Sequence, residues 1–168
     1  LPPHGKPPNK VVANIPYNIT GPILEKLLGR LGQYPEFFFK RLVLLMQKEV
    51  ADRILSNPGN SNFSALSVRI QLLAKCTGVC SVKPSSFIPP PKVTSKVVLF
   101  QPLNSNERLT LNHEKKIEQI LTVAFNLRRK KLKNTLTTLM KLDELKLLAN
   151  KIGFTLDDRP QNLTIEQW

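Results

Sequence analysis

Two regimes of hydrophobic and polar patterning divide this chain. Up to about residue 101, short apolar runs alternate with amphipathic stripes. Lys10-Val11-Val12-Ala13-Asn14 reads as a short buried strand ending on a polar residue, and Ile15-Pro16-Tyr17 breaks it. Ile19, Ile23, Leu24, Leu27, Leu28 and Leu31 then fall on one helical stripe. Arg41 to Gln47 (RLVLLMQ) is a near-continuous apolar run, as expected of a strand covered on both faces. A helix over 48–55, a turn cluster over 56–62 (SNPGNSN) and a second helix over 64–75 follow. Val79–Val82 and Ser95–Phe100 are two further expected strands, separated by the proline-rich segment 85–92 (SSFIPPPK).

Beyond Pro102 no strand pattern remains. Ile117, Ile120, Leu121, Ala124 and Phe125 mark a helix over 109–127. Leu132, Leu136, Leu139 and Met140 mark a second, and 142–152 a third that ends at Gly153. The alternation predicts an α/β layered sheet followed by an all-helical unit, with a boundary near 101–108, hence domains over 1–101 and 102–168. Residues 1–9 (LPPHGKPPN) carry four prolines and a glycine and read as an extended loop. The chain begins Leu1-Pro2-Pro3, without an initiator methionine or a signal pattern, as expected of a processed or excised piece.

Charge changes the picture from fold to partner. Twenty-five Lys and Arg against twelve Asp and Glu leave a net charge of +13. Such an excess favours a polyanion. A membrane surface would call for a basic amphipathic helix with Trp or Phe on its apolar side. The only Trp, Trp168, stands at the end of the chain among polar residues. Nucleic acid is the favoured partner. Cys76 and Cys80 are spaced too widely for a thioredoxin-type pair and lack a second pair to complete a zinc site, so they read as reduced thiols. No metal ligand set is assigned, and His4 and His113 stand alone.

The candidate chemistry lies at Asn14-Ile15-Pro16-Tyr17, where a strand gives way to a helix. Ligands of open α/β sheets bind at the carboxyl ends of strands. Methylation of an exocyclic amine suits this tetrapeptide. An adenine N6 is a poor nucleophile because its lone pair is delocalised into the ring. The Asn14 side-chain oxygen and the Ile15 carbonyl can accept its two hydrogens and favour a pyramidal nitrogen. Pro16 stiffens the turn, and Tyr17 offers a ring on which an extruded base can stack. Phe87, held among prolines, could close the opposite face of the base. The plain alternatives are an ordinary strand-to-helix turn and a core phenylalanine.

Arg128, Arg129, Lys130, Lys131 and Lys133 place five cations within six residues with no acid among them. They suit the phosphates of a structured RNA, although a solvated helix face is the commoner use of such a run.

Four blocks occur in order: Asn14 to Tyr17, residues 46–54 (MQKEVADRI), Phe87 to Ser95, and residues 124–130 (AFNLRRK). Together they resemble the KsgA/RsmA family of ribosomal RNA adenine dimethyltransferases, from Lys10 to the 162–164 segment. The resemblance implies the C-terminal half of a Rossmann-like, S-adenosylmethionine-dependent methyltransferase domain followed by a small helical rRNA-binding domain. It further implies dimethylation of the N6 amines of two adjacent adenines in a hairpin loop near the 3′ end of small-subunit rRNA. Asn14 takes the role of a cofactor contact as well as a catalytic one. The implied setting is a cytoplasmic monomer acting on the pre-30S particle, away from membranes.

The family's glycine-rich turn, acidic ribose-binding residue and adenine-pocket residues have no counterpart here, so the chain itself is expected to be inactive. Phe63-Ser64-Ala65 also departs from the family's glycine before Leu-Ser-Val, and a final helix is expected beyond Trp168. Two other readings stand beside this one. One is the antibiotic-resistance methyltransferase of large-subunit rRNA, which shares Asn-Ile-Pro-Tyr. The other is a non-catalytic ribosome-assembly factor.

Overall fold

A computed structural model of the chain describes residues 8–168. Most of the extended loop expected over 1–9, and His4, lie outside the described residues. The sheet has four strands in the order β1-β2-β4-β3. They are β1 (Lys10–Asn14), β2 (Arg41–Gln47), β3 (Ala74–Val82) and β4 (Ser95–Pro102). β1 runs parallel to β2, whereas β4 lies antiparallel to both β2 and β3.

Period-2 alternation divides the sheet into two unlike faces. Leu42, Leu44 and Met46 of β2 and Val98 and Phe100 of β4 are fully buried on one of them. Against these strands pack α1 (Thr20–Leu28), α2 (Lys48–Ile54), α3 (Ala65–Gln71) and the first half of α4 (Leu111–Asn126). Each large side chain so buried contributes roughly 1.5–3 kcal/mol. Val43, Leu45, Val97 and Leu99 point the other way and are only half-buried. The expectation that β2 is covered on both faces therefore holds for one face among the described residues. The buried strand expected over 10–14 is a sheet edge, with Val12 82% exposed. Its β-branched residues reflect strand preference rather than full burial.

Two expected helices differ from the structure. The one expected over 64–75 ends at Gln71, and β3 begins at Ala74. Leu73 and Ala74 enter the core, and eight residue pairs with β4 hold the chain extended from there, with a bulge between Gly78 and Cys80. Sheet pairing overrides a helical periodicity that continues past its end.

The helix expected around Leu132–Met140 is instead two 3-10 turns, Leu132–Asn134 and Leu136–Thr138. Leu132 N and Lys133 N donate to the carbonyls of Asp158 (2.8 Å) and Leu156 (3.0 Å) rather than within a helix. The hydroxyls of Thr135, Thr137 and Thr138 donate to Leu132 O, Lys133 O and Thr135 O at 3.2, 3.0 and 2.8 Å. Threonines that bond their own backbone in this way compete with a regular helix.

The remaining helices match their periodicity. Thr110 caps α4 by accepting from His113 N, and α5 (Leu142–Ile152) ends on Gly153 at φ 84°, a left-handed position that glycine takes without strain. Ile117 and Leu121 of α4 belong to the core under the sheet. Ala124 belongs to a second cluster with Leu132, Leu136, Leu145 and Leu163. Trp168 lies against Phe125, their ring centroids 5.5 Å apart, and touches both clusters.

A buried ion pair fastens α4 to the segment after α1. Arg108 and Glu114 have side chains 2% and 1% exposed, joined by bonds of 2.8 and 2.6 Å. Glu114 also accepts from Gly32 N at 2.8 Å, and Arg108 donates to Arg30 O at 3.3 Å beneath the Tyr34 ring. With both carboxylate oxygens bonded and the guanidinium bound to Glu114 twice and to Arg30 O, the pair offsets much of its desolvation. Periodicity carries no trace of it.

Candidate active site

The tetrapeptide is held by its ends and by its second residue. Ile15 N donates to Leu45 O at 3.1 Å, carrying the parallel ladder one residue past β1. The Ile15 side chain is buried in the core at 4% exposure, while Asn14 and Pro16 are exposed. Pro16, which has no N–H to satisfy, sits in extended backbone (φ −60°, ψ 130°) and starts the 3-10 turn Tyr17–Ile19. Its carbonyl accepts from Ile19 N at 3.3 Å, and the Thr20 hydroxyl lies 3.3 Å from Tyr17 O. The turn is thus closed from inside, and α1 leaves from it.

The proline-rich loop approaches from the other side of the sheet order. Pro84–Ser86 forms a 3-10 turn, and Phe87 N donates back to Pro84 O at 3.1 Å. The peptide between Ile88 and Pro89 is cis. At its far end Thr94 O accepts from Lys48 N at 2.9 Å, and the loop enters β4 at Ser95. There the Tyr17 hydroxyl and the Ser95 hydroxyl share a hydrogen bond across 78 residues of sequence. Asn14, Ile15, Pro16, Tyr17, Phe87, Pro89 and Pro91 line one open cavity of about 340 Å³. All five residues singled out for catalysis therefore meet in one place. Half-buried Phe87 faces this space rather than the core.

An ion cluster joins α2 to β4. The Asp52 carboxylate accepts from Lys96 Nζ at 2.6 Å and from Lys48 Nζ on its own helix. Partial burial pushes the Asp52 carboxyl up, but hydrogen bonds and charge from Lys48 and Lys96 outweigh it and hold the group below its ordinary value. The sequence reading missed this cluster and Ser95, because each forms only when β2, α2 and β4 come together.

The basic run beyond α4 is divided by the fold. Arg128 turns inward, its guanidinium donating to Phe63 O at 2.9 Å and to Ser61 O. Lys131 and Lys133 reach a single oxygen of Asp157, at 3.0 and 2.8 Å. These two ammonium groups hold the Asp157 carboxyl at about 2, first through the hydrogen bond from Lys133. Arg129 and Lys130 are exposed. The run has no acid in sequence, yet the tertiary structure brings one to it.

Cys76 and Cys80 are free thiols, the first half-buried and the second exposed. Burial pushes the Cys76 thiol up to about 12. Among the described residues no helix is long and apolar enough to cross a membrane.

Comparison with known proteins shows the family of this chain. The family of ribosomal RNA adenine dimethylases matches residues 3–168. A protein of Prochlorococcus marinus strain MIT 9211, named ribosomal RNA small subunit methyltransferase A, is 55% identical over all of this chain and 60% of its own length. A protein of the same name from Synechococcus sp. strain CC9311 is 52% identical over 98% of this chain and 59% of its own length. The chain therefore spans about three fifths of these relatives. Among solved structures, a dimethyladenosine transferase from Plasmodium falciparum superposes with a TM-score of 0.72 at 30% identity, over 97% of this chain and 65% of that one. The 23S rRNA methyltransferase ErmE, at 19% identity and a TM-score of 0.69 over 98% of this chain and 65% of its own, shares the fold. The implied C-terminal half of a Rossmann-like methyltransferase domain agrees with these neighbours and with the four-stranded mixed sheet. By sequence and by fold, this chain belongs to the ribosomal RNA adenine dimethylase family.

Proposed function

We propose that this chain carries the base-handling half of an enzyme that dimethylates the N6 amines of two adjacent adenines near the 3′ end of small-subunit rRNA. The observation that carries the reading is the single cavity walled by Asn14–Tyr17 on one side and Phe87 on the other. A flipped adenine is a flat, largely apolar ring with one amine to be presented. Tyr17 and Phe87 supply the aromatic faces, worth about 1–3 kcal/mol per stacked base. The Asn14 side-chain oxygen and the Ile15 carbonyl accept the two amine hydrogens, which turns the nitrogen lone pair out of conjugation. Prolines on both walls limit the motion available to these groups.

S-adenosylmethionine, when bound, supplies an electrophilic methyl on sulfur. The residue here that would contact it is Asn14, exposed at the carboxyl end of β1 where an open α/β sheet receives its ligands. With the amine and the methyl aligned, positioning provides most of the acceleration. No base is needed before attack, because the proton leaves a nitrogen that has already become cationic.

The segment over 102–168 serves as the RNA-docking unit, with Arg129 and Lys130 toward phosphates, Lys131 and Lys133 beside them sharing Asp157, and Arg128 bracing the loop behind them. The partner is small-subunit rRNA within a pre-30S particle, met in the cytoplasm by a monomer. Single-turnover methylation by the full-length protein tests the reading, with the modified nucleotides located by sequencing and mass. Two adjacent dimethyladenosines in small-subunit rRNA are expected. Methylation confined to large-subunit rRNA, or no methylation, overturns it.

A further inference from the structure

We infer that Ser95 is a positioning residue for base capture, acting through the Tyr17 hydroxyl to set the plane of the Tyr17 ring. The inference rests on the reading of Tyr17 as a stacking platform. Ser95 is fully buried, the first residue of β4, registered between Gln47 of β2 and Val82 of β3. Its hydroxyl bonds the Tyr17 hydroxyl. A buried hydroxyl keeps a partner, and here the partner is a side chain of the cavity wall.

Tyr17 itself is half-buried, with its ring toward the cavity and its hydroxyl toward the sheet. Two rotatable bonds separate that ring from a backbone held by the 3-10 turn. The Ser95 bond fixes the far end of this lever. Without it the Tyr17 hydroxyl is left half-buried and unpartnered, a state relieved by swinging toward water. The ring then leaves the orientation it holds in the wall of the cavity it shares with Phe87.

Ser95 is also the point where the Phe87 loop re-enters the sheet, after Thr94 O is held by Lys48 N. One hydroxyl pair thus ties the two walls of the cavity to each other. Stacking depends steeply on ring offset, so the tie determines whether both walls can grip one base.

The test uses full-length protein and two rRNA hairpins: one carries 2-aminopurine at the target position, whose fluorescence changes as the base leaves the RNA stack, and one keeps the native adenines for KM and kcat. Ser95→Ala is expected to lower base capture, and raise KM for RNA, about 3- to 10-fold, the net worth of one hydrogen bond, with a smaller change in kcat. Tyr17→Phe should lose a similar factor, and the double variant no more than either, because both remove the same bond. Thermal melts of Ser95→Ala should stay close to the parent's. Capture by Ser95→Ala equal to the parent's, or losses that multiply in the double variant, would overturn the inference. A capture loss matched by a large drop in melting temperature would also overturn it, assigning Ser95 to the core alone. If Tyr17→Ala captures the base normally, the platform reading itself fails, and the inference falls with it.

Discussion

The guanidinium of Arg128 donates to the carbonyl oxygen of Phe63 at 2.9 Å, and Phe63 is fully buried. A residue at the head of a basic run is therefore committed to the protein's own loop. Arg128→Ala is expected to cost about 1–3 kcal/mol of stability, because it strands the carbonyl of buried Phe63. Arg129→Glu with Lys130→Glu should leave the melt unchanged while weakening RNA binding. Each lost phosphate contact should flatten the salt slope by about 0.7–0.9. Denaturant melts beside salt titrations of rRNA binding check both halves. An unchanged slope in the double variant removes these two residues from the interface.

Lys131 and Lys133 are expected to behave differently, since Asp157 already occupies them. The Asp157 carboxyl lies at about 2, below the roughly 3.9 of an unfolded aspartate. A depressed carboxylate contributes fully above the unfolded value, and the contribution is lost as pH falls through about 2. The contact is thus intact at neutral pH. Carboxyl NMR should place the Asp157 midpoint near 2, rising toward the ordinary value in Lys133→Met. Asp157→Asn frees two ammonium groups and should tighten RNA binding while steepening its salt slope. A midpoint at the ordinary value would show that the three side chains do not hold together in solution.

The Arg108–Glu114 pair should respond asymmetrically to substitution. Glu114→Ala leaves a buried guanidinium unpaired, at a cost of about 3–5 kcal/mol. Replacing both members, Arg108→Met with Glu114→Leu, should recover most of that loss, since burial without charge carries no desolvation. Urea melts of the single and double variants decide it. Equal losses in both would assign the destabilisation to packing rather than to the orphaned charge.

In the full-length protein, Asn14→Ala is expected to lower turnover about 10²- to 10³-fold, as loss of one preorganised polar group does elsewhere. Phe87→Ala should weaken base capture by about 1–3 kcal/mol while the melt changes little, since its ring lines the cavity. A core phenylalanine would instead lose roughly 3–5 kcal/mol of folding stability. Single-turnover methylation paired with a melt separates these outcomes.

Thiol labelling at pH 8 should modify Cys80 within minutes and leave Cys76 largely unmodified. The reason is that Cys80 is exposed, whereas burial raises the Cys76 thiol to about 12 and keeps it protonated. Mass analysis of the labelled chain counts the adducts. Two fast adducts would show that β3 opens.

The sequence by itself determined the elements whose signals are local. Arg41–Gln47 is a strand with the expected bounds because seven consecutive residues carry one apolar pattern. α5 ends at Gly153 because only a left-handed residue closes it there. Asn14–Tyr17 and Phe87 were legible as candidates because their residue types suit a flat base with an amine, but only the fold brings them to one cavity. The tertiary structure alone decided what depends on distant partners. It ended α3 at Gln71, where pairing with β4 outweighs helical spacing. It broke the 132–140 stripe into turns, because backbone bonds to 156–158 and threonine hydroxyls compete with the helix. It also turned a uniform run of cations into one brace, two lysines sharing one carboxylate and two exposed charges, and set Ser95 against Tyr17. Hydrophobic periodicity reports which face of an element is buried, but polar pairs form between elements, so no pattern along the chain records them.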